Sequence, residues 1–406
     1  MFRRRALATL SAITLTTALL ACGANGRGAI DDTPPAGSGT ETGTDPPPSD
    51  FAEGGAAGPS VVGHLRGTVR APNGIVPVAG ALLYLTKDKP ASMPTTVYCD
   101  ECVQLGPENA QALTDAKGEF DLPALTTGKQ YLVLQKGGFR RVRELYVTKG
   151  DRTLPDTLTM LPPKTDLTTG DEVPRMTVVH GQYDEIEASL QKLGIDPSAI
   201  EIVQSALIGE AAKGFLGDAG KVNGRHIVFL PCGDYTQPAP NTDLSADPQI
   251  QANLKAFVEA GGRLYVTDWH YDFIARTFPG KIAFSGASSE ACSGCGRTTY
   301  DAAASVTDPD LSSWMTAQNL STFTLQKNYT GIDSVSGSKV WVSGSKAGAA
   351  AKPATVSFEQ GCGRVLFSTY HTEPFSNSLT PQERALLGVL LEVSVCNASP
   401  TGVVVR

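Results

Sequence analysis

The period of apolar and polar positions changes near residue 172. Between residues 61 and 163, apolar residues alternate with polar ones in short runs, as in "HLRGTVRAPNGIVPVAGALLYLT". Turn sequences separate these runs: Pro72-Asn73-Gly74 is one, and Asp115-Ala116-Lys117-Gly118 joins the two arms of a predicted hairpin. No helical period of any length occurs in this stretch. The pattern predicts an all-β sandwich over residues 61–163.

Residues 172–397 instead alternate apolar, strand-like runs with helical periods. The strand-like runs are "RMTVVHG", "AIEIVQS", "RHIVFLPCG", "RLYVTD", "KVWVSG", "ATVSFEQ" and "RVLFST". Helical periods occur at residues 184–194 and 247–260, and a last helix begins with the capping box Thr380-Pro381-Gln382-Glu383. Near-continuous apolar strands indicate a sheet covered on both faces. The pattern predicts an α/β, flavodoxin-like domain with a mostly parallel sheet and helices on both faces.

The first 22 residues have the pattern of a targeting segment. Arg3-Arg4-Arg5 precedes an uncharged, mostly apolar run from Ala6 to Leu20, which is too short to span a membrane comfortably. The run ends in Leu19-Leu20-Ala21-Cys22, which resembles the lipobox of bacterial lipoprotein signal peptides. The resemblance implies cleavage before Cys22, lipidation of its sulfur and a tether in the cell envelope, outside the cytoplasm. Gly23 favours the outer membrane. The alternative is an ordinary secretory signal with a chance cysteine.

Composition and charge add a linker and argue against one class of partner. Residues 23–60 are rich in Gly, Pro and Thr and carry six acidic residues against one basic residue, which predicts a disordered acidic linker. The whole chain has a net charge of −7, and its only basic cluster beyond the signal segment is Arg140-Arg141-Val142-Arg143. A nucleic-acid partner is therefore not expected. No cofactor is predicted, and the predicted partner is the lipid membrane, through Cys22.

The chain has eight cysteines, of which seven remain once Cys22 carries a lipid. Outside the cytoplasm most of these should be paired. Two C-x-x-C sequences are present, and local disulfides are preferred there over a zinc or redox role. A third pair is predicted because the last helix runs back toward the start of the last strand. The predicted pairs are Cys99–Cys102, Cys292–Cys295 and Cys362–Cys396, and Cys232 is left alone.

Three short motifs follow one another in the predicted sandwich. They are Gly67-Thr68-Val69, Pro77-Val78-Ala79-Gly80-Ala81 and Thr114-Asp115-Ala116-Lys117-Gly118-Glu119-Phe120. In this order they resemble the carboxypeptidase regulatory-like domain, a transthyretin-like sandwich, over most of about 100 residues. The resemblance implies a scaffold or adhesion module without catalysis.

Histidines and carboxylates collect after the predicted strands of residues 172–397. His180 follows the first strand, His270 the fourth and His371 the last. In sheets of this kind ligands bind beyond the carboxyl ends of the strands. A structural hydrogen bond explains any one of these histidines equally well, but three at strand ends predict a crevice. The acidic residues that join them are Asp234, Asp268, Asp272 and Glu373.

Three further motifs lie at these strand ends or before the fourth strand: Leu230-Pro231-Cys232-Gly233, Gly261-Gly262 and His371-Thr372-Glu373. Together they resemble the class I glutamine amidotransferase-like fold across nearly all of residues 172–397. The resemblance implies an oxyanion-hole loop at the first motif and an approach to the nucleophile turn at the second. It also implies that His371 is a base for a cysteine nucleophile and that Glu373 orients this base.

The chain departs from that family at the nucleophile. The family has a cysteine on a tight, glycine-flanked turn after the fourth strand, where this chain has Thr267-Asp268-Trp269-His270-Tyr271. Cys232 follows the preceding strand and could take this role only if the two loops meet. His371, Glu373 and Cys232 are therefore predicted to be vestigial catalytic residues.

The leading functional prediction is a membrane-anchored lipoprotein that acts in binding or as a scaffold rather than as an enzyme. A small molecule, a glycan or a protein would occupy the old crevice, which is lined by His180, Asp234, Asp268 and His270. The alternative is a hydrolase that uses Cys232 as a displaced nucleophile, or a divalent metal held by the strand-end His, Asp and Glu side chains. The metal in this alternative would be held by Asp268, His270, His371 and Glu373, although no spacing of the H-E-x-x-H type is present.

Overall fold

The computed structural model describes residues 60–99, 105, 109–205, 208–233, 243–285, 299–328, 330–372 and 376–392. All of these lie in one compact unit, Ala57–Arg406. The predicted signal segment and all but the last residue of the predicted linker lie outside the described residues. So do seven residues predicted above to have a role, namely Cys22, Cys102, Asp234, Cys292, Cys295, Glu373 and Cys396. Within the described part of the chain, no helix has the length and apolar character needed to cross a membrane.

The amino-terminal part of the unit consists of short strands and one turn of helix. In chain order these are β1 (Gly63–Thr68), β2 (Leu82–Thr86), β3 (Gln111–Leu113), β4 (Glu119–Ala124), β5 (Gly128–Lys136), β6 (Phe139–Val147), β7 (Arg152–Thr153), α1 (Asp156–Thr159) and β8 (Asp171–Glu172). They form a three-stranded sheet, β4-β1-β7, and a five-stranded sheet, β3-β2-β5-β6-β8. Leu65 and Leu122 of the first sheet and Leu83 and Leu132 of the second belong to one buried apolar cluster.

The remainder of the unit alternates strands with helices. Its strands are β9 (Met176–Val179), β10 (Ile200–Val203), β11 (Ile227–Leu230), β12 (Arg263–Thr267), β13 (Ile282–Phe284), β14 (Tyr300–Val306), β15 (Thr324–Asn328), β16 (Ile332–Val335), β17 (Lys339–Ser345), β18 (Lys352–Gln360) and β19 (Gly363–Ser368). Its helices are α2 (Ile186–Lys192), α3 (Ile208–Leu216), α4 (Ala219–Asn223), α5 (Pro248–Glu259), α6 (Tyr271–Thr277), α7 (Pro309–Ala317) and α8 (Pro381–Glu392).

Nine of these strands form one sheet, in the order β10-β9-β11-β12-β19-β18-β17-β14-β15. The first five strands are mutually parallel, and every later pairing is antiparallel. The sheet is thus mixed, whereas the sequence predicts a mostly parallel one. The reason is local: a tight turn at Gly361 and Cys362 sends the chain from β18 directly back as β19, so no crossover helix separates them.

The parallel half of the sheet is covered on both faces. Phe229 and Tyr265 belong to the apolar cluster that continues into the amino-terminal sheets. Their neighbours Val228 and Leu264 belong to a second cluster with α5. Because successive side chains of a strand point to opposite faces, the apolar residues of β11 and the three central apolar residues of β12 have a core on each side.

A segment between β2 and β3, residues 93–99, runs along the amino ends of the parallel strands. The guanidinium of Arg175 donates to the carbonyl of Thr95 (3.2 Å), and Val97 donates to the carbonyl of Asn223 (2.8 Å). Gly261, in the left-handed region at φ +112°, lies beneath it, and a Cβ there would come within 1.9 Å of the Tyr98 carbonyl. Only glycine fits this contact. We call residues 93–99 the strap.

The strap ends in a disulfide between Cys99 and Cys362, whose Cα atoms are 5.2 Å apart. The predicted pairings of Cys99 with Cys102 and of Cys362 with Cys396 are therefore wrong. The physical reason is that the strap carries Cys99 across the sheet to the turn before β19, a contact that spans 263 residues of sequence. Among the described residues Cys232 is a free, buried cysteine.

The basic cluster Arg140-Arg141-Val142-Arg143 lies on β6, opposite Asp171 and Glu172 of β8. Arg141 binds Asp171 through two nitrogens at 2.8 and 2.9 Å, and Arg143 binds the same carboxylate at 2.8 Å. Arg140 donates from Nε to Glu172 (2.7 Å). Each arginine thus contacts a carboxylate, with Asp171 shared by two of them, and the cluster is a structural ion-pair network rather than an open basic surface.

Candidate functional site

Three adjacent parallel strands bring Cys232, Asp268 and His371 together. These residues follow β11, β12 and β19, which are neighbours in the sheet, and their exposed fractions are 0%, 0% and 3%. A ligand atom from each lies within 4.8 Å of the other two. His371 Nε2 is 3.2 Å from Asp268 Oδ2. The loops after the third and fourth predicted strands therefore do meet, and both reach the histidine.

Asp268 begins the turn after β12, the turn at which the sequence resemblance led us to expect a nucleophile. The turn is a single 3-10 turn, Asp268–His270, between β12 and α6. Asp268 has φ +42°, a left-handed conformation that costs a residue other than glycine about 1–3 kcal/mol. The backbone N–H of Thr330 donates to Asp268 Oδ1 (2.8 Å). Such strain persists only where surrounding contacts hold it, and it is concentrated at functional sites.

Cys232 is fixed by three backbone contacts. Its N–H donates to the hydroxyl of Thr267 (2.7 Å), its carbonyl accepts from the N–H of Tyr183 (3.1 Å), and its sulfur accepts from the N–H of Trp269. Burial, together with the charge of Asp268, raises the pKa of the Cys232 thiol well above its ordinary value. The thiol is therefore protonated at neutral pH, which makes it a poor nucleophile.

Two glycines allow the Cys232 loop to approach the loop after β9. A Cβ on Gly181 would lie 2.3 Å from the Cys232 carbonyl oxygen, and one on Gly233 would lie 2.9 Å from the Cα of Gly181. Any side chain at either position would push these loops apart. The sequences His180-Gly181 and Cys232-Gly233 are thus packing features of the site as well as strand ends.

Asp184, which sequence reasoning missed, lies behind the three residues. It is 1% exposed and accepts from the Thr267 hydroxyl (2.8 Å) and from the N–H of Thr372 (3.0 Å). It thereby connects β12 to the segment that carries His371. The available signal is its place after an apolar strand, the same feature that draws attention to Asp268, but the helical period of residues 184–194 includes it as well.

The charge of His371 follows from these neighbours. Burial lowers the pKa of the imidazole, but the hydrogen bond to Asp268 and the charges of Asp184 and Asp268 outweigh burial, and the pKa is raised. These contacts thus favour the protonated His371 ring beside the buried Asp268 side chain.

The other sequence-predicted site residues lie elsewhere or are not described. His180 Nδ1 is 3.7 Å from Glu187 Oε1, and the His180 side chain is 27% exposed. His270 is buried edge-on against the ring of Phe273, with centroids 5.5 Å apart. Neither histidine belongs to the described group of possible metal ligands, and neither does Asp272. Asp234 and Glu373 lie outside the described residues, so the Glu373 half of His-x-Glu stays a prediction.

A cavity of about 460 Å³ opens at the same edge of the sheet, over its antiparallel half. Its floor is made of small residues on three strands, Ala302, Gly344 and Ala354. A Cβ on Gly344 would lie 3.0 Å from that of Ala302, so a larger residue there would crowd the floor. The polar lining residues are Ser285, Tyr300, Asn328, Lys346, Lys352 and Thr369.

The cavity is joined to the ion pair through Thr330. The Tyr300 hydroxyl, on the cavity wall, donates to the Thr330 carbonyl (3.1 Å), and the Thr330 N–H donates to Asp268 (2.8 Å). Thr369, also on the wall, precedes His371 by two residues. Cavities of 300–1,000 Å³ are the usual size for small-molecule sites, and strand carboxyl ends are the usual place.

No protein-family model and no curated protein matches the chain. Among solved structures, a ThuA-like protein from Bacteroides uniformis aligns with 57% of this chain and 95% of its own length, at 12% identity and a TM-score of 0.33. A cytoplasmic protein from Salmonella typhimurium aligns with 58% of this chain and all of its own, at 12% identity and a TM-score of 0.35. A β-galactosidase from Rahnella sp. R3 aligns with 58% of this chain and 33% of its own length, at 13% identity and a TM-score of 0.32. The structural neighbours thus include a ThuA-like protein, of class I glutamine amidotransferase-like fold, at low identity.

Proposed function

We propose that the protein is a membrane-anchored binding protein without catalytic activity, whose ligand occupies the cavity beside the His371–Asp268 pair. The main observation is the identity and state of the residue at the nucleophile turn. Asp268 is a carboxylate with no exposed surface, already paired with the histidine that would act as the base. Cys232, the other candidate nucleophile among the described residues, is equally buried.

The anchor in this proposal is the lipid on Cys22, and residues 61–163 serve as a carboxypeptidase regulatory-like scaffold. Support comes from the lipobox-like sequence and the three sandwich motifs described above. Labelling of cells with an alkynyl fatty acid should tag the wild-type protein in the membrane fraction. A Cys22→Ser variant should lose the label and leave the outer membrane, whereas a Cys232→Ser variant should keep both. A labelled Cys22→Ser variant would refute the anchor.

The lining of the cavity suggests a small polar ligand that carries a carboxylate. The small, apolar floor admits a ring, and Asn328 and Thr369 offer hydrogen-bonding groups on the wall. Lys346 lies on the lining with its Nζ 5.1 Å from the centroid of the Tyr300 ring, and Lys352 pairs with Asp333 (2.6 Å). Because Asp333 balances the charge of Lys352, it is Lys346 beside the apolar floor that favours an anionic ligand such as a sugar acid over a neutral sugar.

Calorimetric titration of the full-length protein in detergent with glucuronate and with glucose tests this proposal. We expect glucuronate to bind more tightly than glucose and Ala302→Leu, which fills the floor, to abolish binding. Ala303→Leu is the matched control, because Ala303 is exposed on the same strand and lies outside the cavity lining. Equal binding of glucuronate to both variants would place its site elsewhere. Failure of both sugars to bind would reject the sugar-acid class.

A hydrolase with a displaced cysteine is the second candidate, because the Cys232 sulfur does come within 4.8 Å of a His371 ring nitrogen. Its activity would require the thiolate, which burial disfavours. Alkylation by iodoacetamide at neutral pH separates the two functions. We expect Cys232 to react far more slowly than an exposed thiol. Rapid alkylation that His371→Gln slows would instead establish an activated cysteine.

A further inference from the structure

Cys232, Asp268 and His371 offer a sulfur, a carboxylate oxygen and an imidazole nitrogen to one small volume. We propose that these three side chains bind a single divalent ion of the zinc class. The site is distinct from the metal set that the sequence suggested, because His270 lies outside the group and Cys232 takes part in it. The proposal does not depend on the ligand of the neighbouring cavity.

The spacing of the atoms suits a tetrahedral ion. With bonds of 2.0–2.2 Å to nitrogen and oxygen and 2.3 Å to sulfur, a tetrahedral zinc site holds its N and O ligands about 3.3 Å apart and its sulfur about 3.6 Å from either. His371 Nε2 and Asp268 Oδ2 are 3.2 Å apart. Since the sulfur lies within 4.8 Å of both groups, it needs to move by about 1.2 Å at most.

The donor set also selects the ion. A thiolate, an imidazole and a carboxylate form the mixed N, S and O set that zinc accepts, whereas calcium and magnesium prefer oxygen alone. One thiolate and one carboxylate together balance a charge of +2, and Asp184 adds a further negative charge that acts on His371. Such a pocket attracts a cation and does not attract an anion.

Side chains hold the backbone at two of the three proposed ligands. The Cys232 N–H and the Asp184 carboxylate both bind the hydroxyl of Thr267, at 2.7 and 2.8 Å. The His371 carbonyl accepts from the side chain of Gln382 (2.7 Å). Metal binding would also account for the strained backbone of Asp268. Its left-handed conformation directs the carboxylate toward the other two ligands.

A fourth position remains for a water molecule or substrate atom, as in catalytic zinc sites. The backbone N–H of Thr330 donates to Asp268, and Thr330 is 3% exposed. Its hydroxyl has no hydrogen-bond partner among the described residues. A buried hydroxyl left without a partner is costly, and a water molecule bound beside it would supply one.

Titration of the full-length protein, in detergent and treated with chelator, with Co²⁺ tests the site directly. A tetrahedral cobalt–thiolate centre gives a near-ultraviolet charge-transfer band and strong visible bands, and Zn²⁺ should remove both by displacement. We expect one cobalt per chain. Loss of an outer partner alone weakens metal binding about 10–100-fold, so Asp268→Asn should weaken it by at least that factor, and Cys232→Ser should abolish the thiolate band. Asp272→Asn, one helical turn further on, should bind as the wild type does.

The two C-x-x-C sequences require their own control. In Cys99→Ser, Cys102→Ser, Cys292→Ser and Cys295→Ser variants the cobalt bands should persist. The proposal is overturned if the wild-type protein gives no thiolate band, or if the band survives Cys232→Ser and disappears with a C-x-x-C substitution. The wild-type spectrum alone can give the first result, so the test stands even where a variant folds poorly.

Discussion

Two buried histidines lie at opposite ends of the parallel strands, one at the amino edge and one at the carboxyl edge, and their surroundings differ. His226 precedes β11 at the amino edge. Its Nδ1 accepts from the N–H of Arg175 (2.9 Å), and its Nε2 lies 3.0 and 3.1 Å from the strap carbonyls of Pro94 and Thr96. His371 follows β19 at the carboxyl edge and pairs with the Asp268 carboxylate. The His226 ring thus has backbone hydrogen-bond partners and an edge contact with the Tyr98 ring, whereas the His371 ring has a charged partner.

The pKa values of these two histidines move in opposite directions. Burial lowers the pKa of His226, and the two carbonyls do not offset it. For His371 burial acts in the same direction, yet Asp268 and Asp184 raise the pKa above its ordinary value. Burial alone therefore does not distinguish a structural histidine from a candidate functional one. The partner does: backbone groups hold a neutral ring as a brace, whereas a carboxylate on a strained turn creates a charged site.

The largest effect on stability should come from the amino edge, through the Cys99–Cys362 disulfide. It closes 263 residues of sequence, and removal of a native disulfide typically costs about 2–5 kcal/mol, with long loops at the upper end. We expect Cys362→Ser to lower the free energy of unfolding by about 5 kcal/mol. Urea unfolding of the full-length protein measures it.

The matched control is Cys99→Ser, which should give the same loss. A Cys99→Ser/Cys362→Ser double variant should add nothing to either single variant, since all three remove one bond. Peptide mapping without reduction should find Cys99 joined to Cys362. A Cys99–Cys102 peptide would contradict both the pairing and the anchoring of the strap.

The next largest effect should come from the carboxyl edge. Asp268→Ala leaves the His371 imidazolium buried without its partner, and loss of one member of a buried ion pair costs about 3–5 kcal/mol. The substitution does not relieve the strain of the left-handed backbone, because alanine tolerates φ +42° no better than aspartate does. Urea unfolding in the presence of a chelator measures the pair without metal.

Asp121→Ala is the control, since Asp121 pairs with His64 where the two side chains are 49% and 37% exposed. Its effect should be much smaller, because solvent screens exposed pairs. Equal losses in Asp121→Ala and Asp268→Ala would mean that burial of the His371 pair contributes little.

Much of the fold could be predicted because it depends on local pattern. The helix predicted at residues 247–260 is α5, Pro248–Glu259. The capping box before α8 is present, with the Thr380 N–H donating to Glu383 (2.7 Å) and the Glu383 N–H to the Thr380 hydroxyl (3.4 Å). The antiparallel return of β19 and the strap could not be predicted in this way. Each depends on contacts between distant segments, for which the alternation of apolar residues gives no register.

The candidate site also has a part that local sequence pattern predicts and a part that depends on contacts between distant segments. A strand-end position draws attention to Asp268 and His371, because parallel strands end at the same side of the sheet. It draws equal attention to His180 and His270, which lie outside the group. The approach of Cys232 depends on two loops that touch only because Gly181 and Gly233 lack side chains. Asp184 bridges Thr267 and Thr372, which lie 105 residues apart in sequence. No spacing within the sequence predicts the approach of the Cys232 loop or the bridge made by Asp184.

A smaller loss of stability is expected when the His226 ring, which binds the strap at the amino edge, is removed. His226→Ala leaves the N–H of Arg175 and the strap carbonyls without their ring partner, and a lost partner of a buried polar group costs about 1–3 kcal/mol. We expect a loss in this range and faster proteolytic cleavage within residues 93–99. His64→Ala, at an exposed histidine, should change neither quantity measurably. An unchanged cleavage rate in His226→Ala would show that the disulfide alone holds the strap.

The smallest expected effect is the pH dependence of the contributions that His371 and His226 make to the free energy of unfolding. It is also the sharpest test of the comparison. His371 binds its proton more tightly in the folded state, so its stabilisation is complete below the ordinary histidine pKa of about 6.5 and is lost as pH rises through the raised folded value. His226 binds its proton less tightly when folded, so its stabilisation is complete above about pH 6.5 and is lost as pH falls. For either histidine, a folded pKa that differs by about 1 from the unfolded pKa changes the free energy of unfolding by about 1.4 kcal/mol.

Urea unfolding between about pH 5 and about pH 8, at fixed ionic strength and with chelator, should therefore give opposite slopes. The difference in free energy of unfolding between the wild type and His371→Gln should shrink as pH rises, whereas the difference from His226→Gln should grow. Glutamine keeps hydrogen-bonding groups near each ring position, so these differences report mainly the loss of the titrating group. Parallel slopes would mean that the two edges share one electrostatic environment, and the contrast between a structural brace and a charged site would then fail.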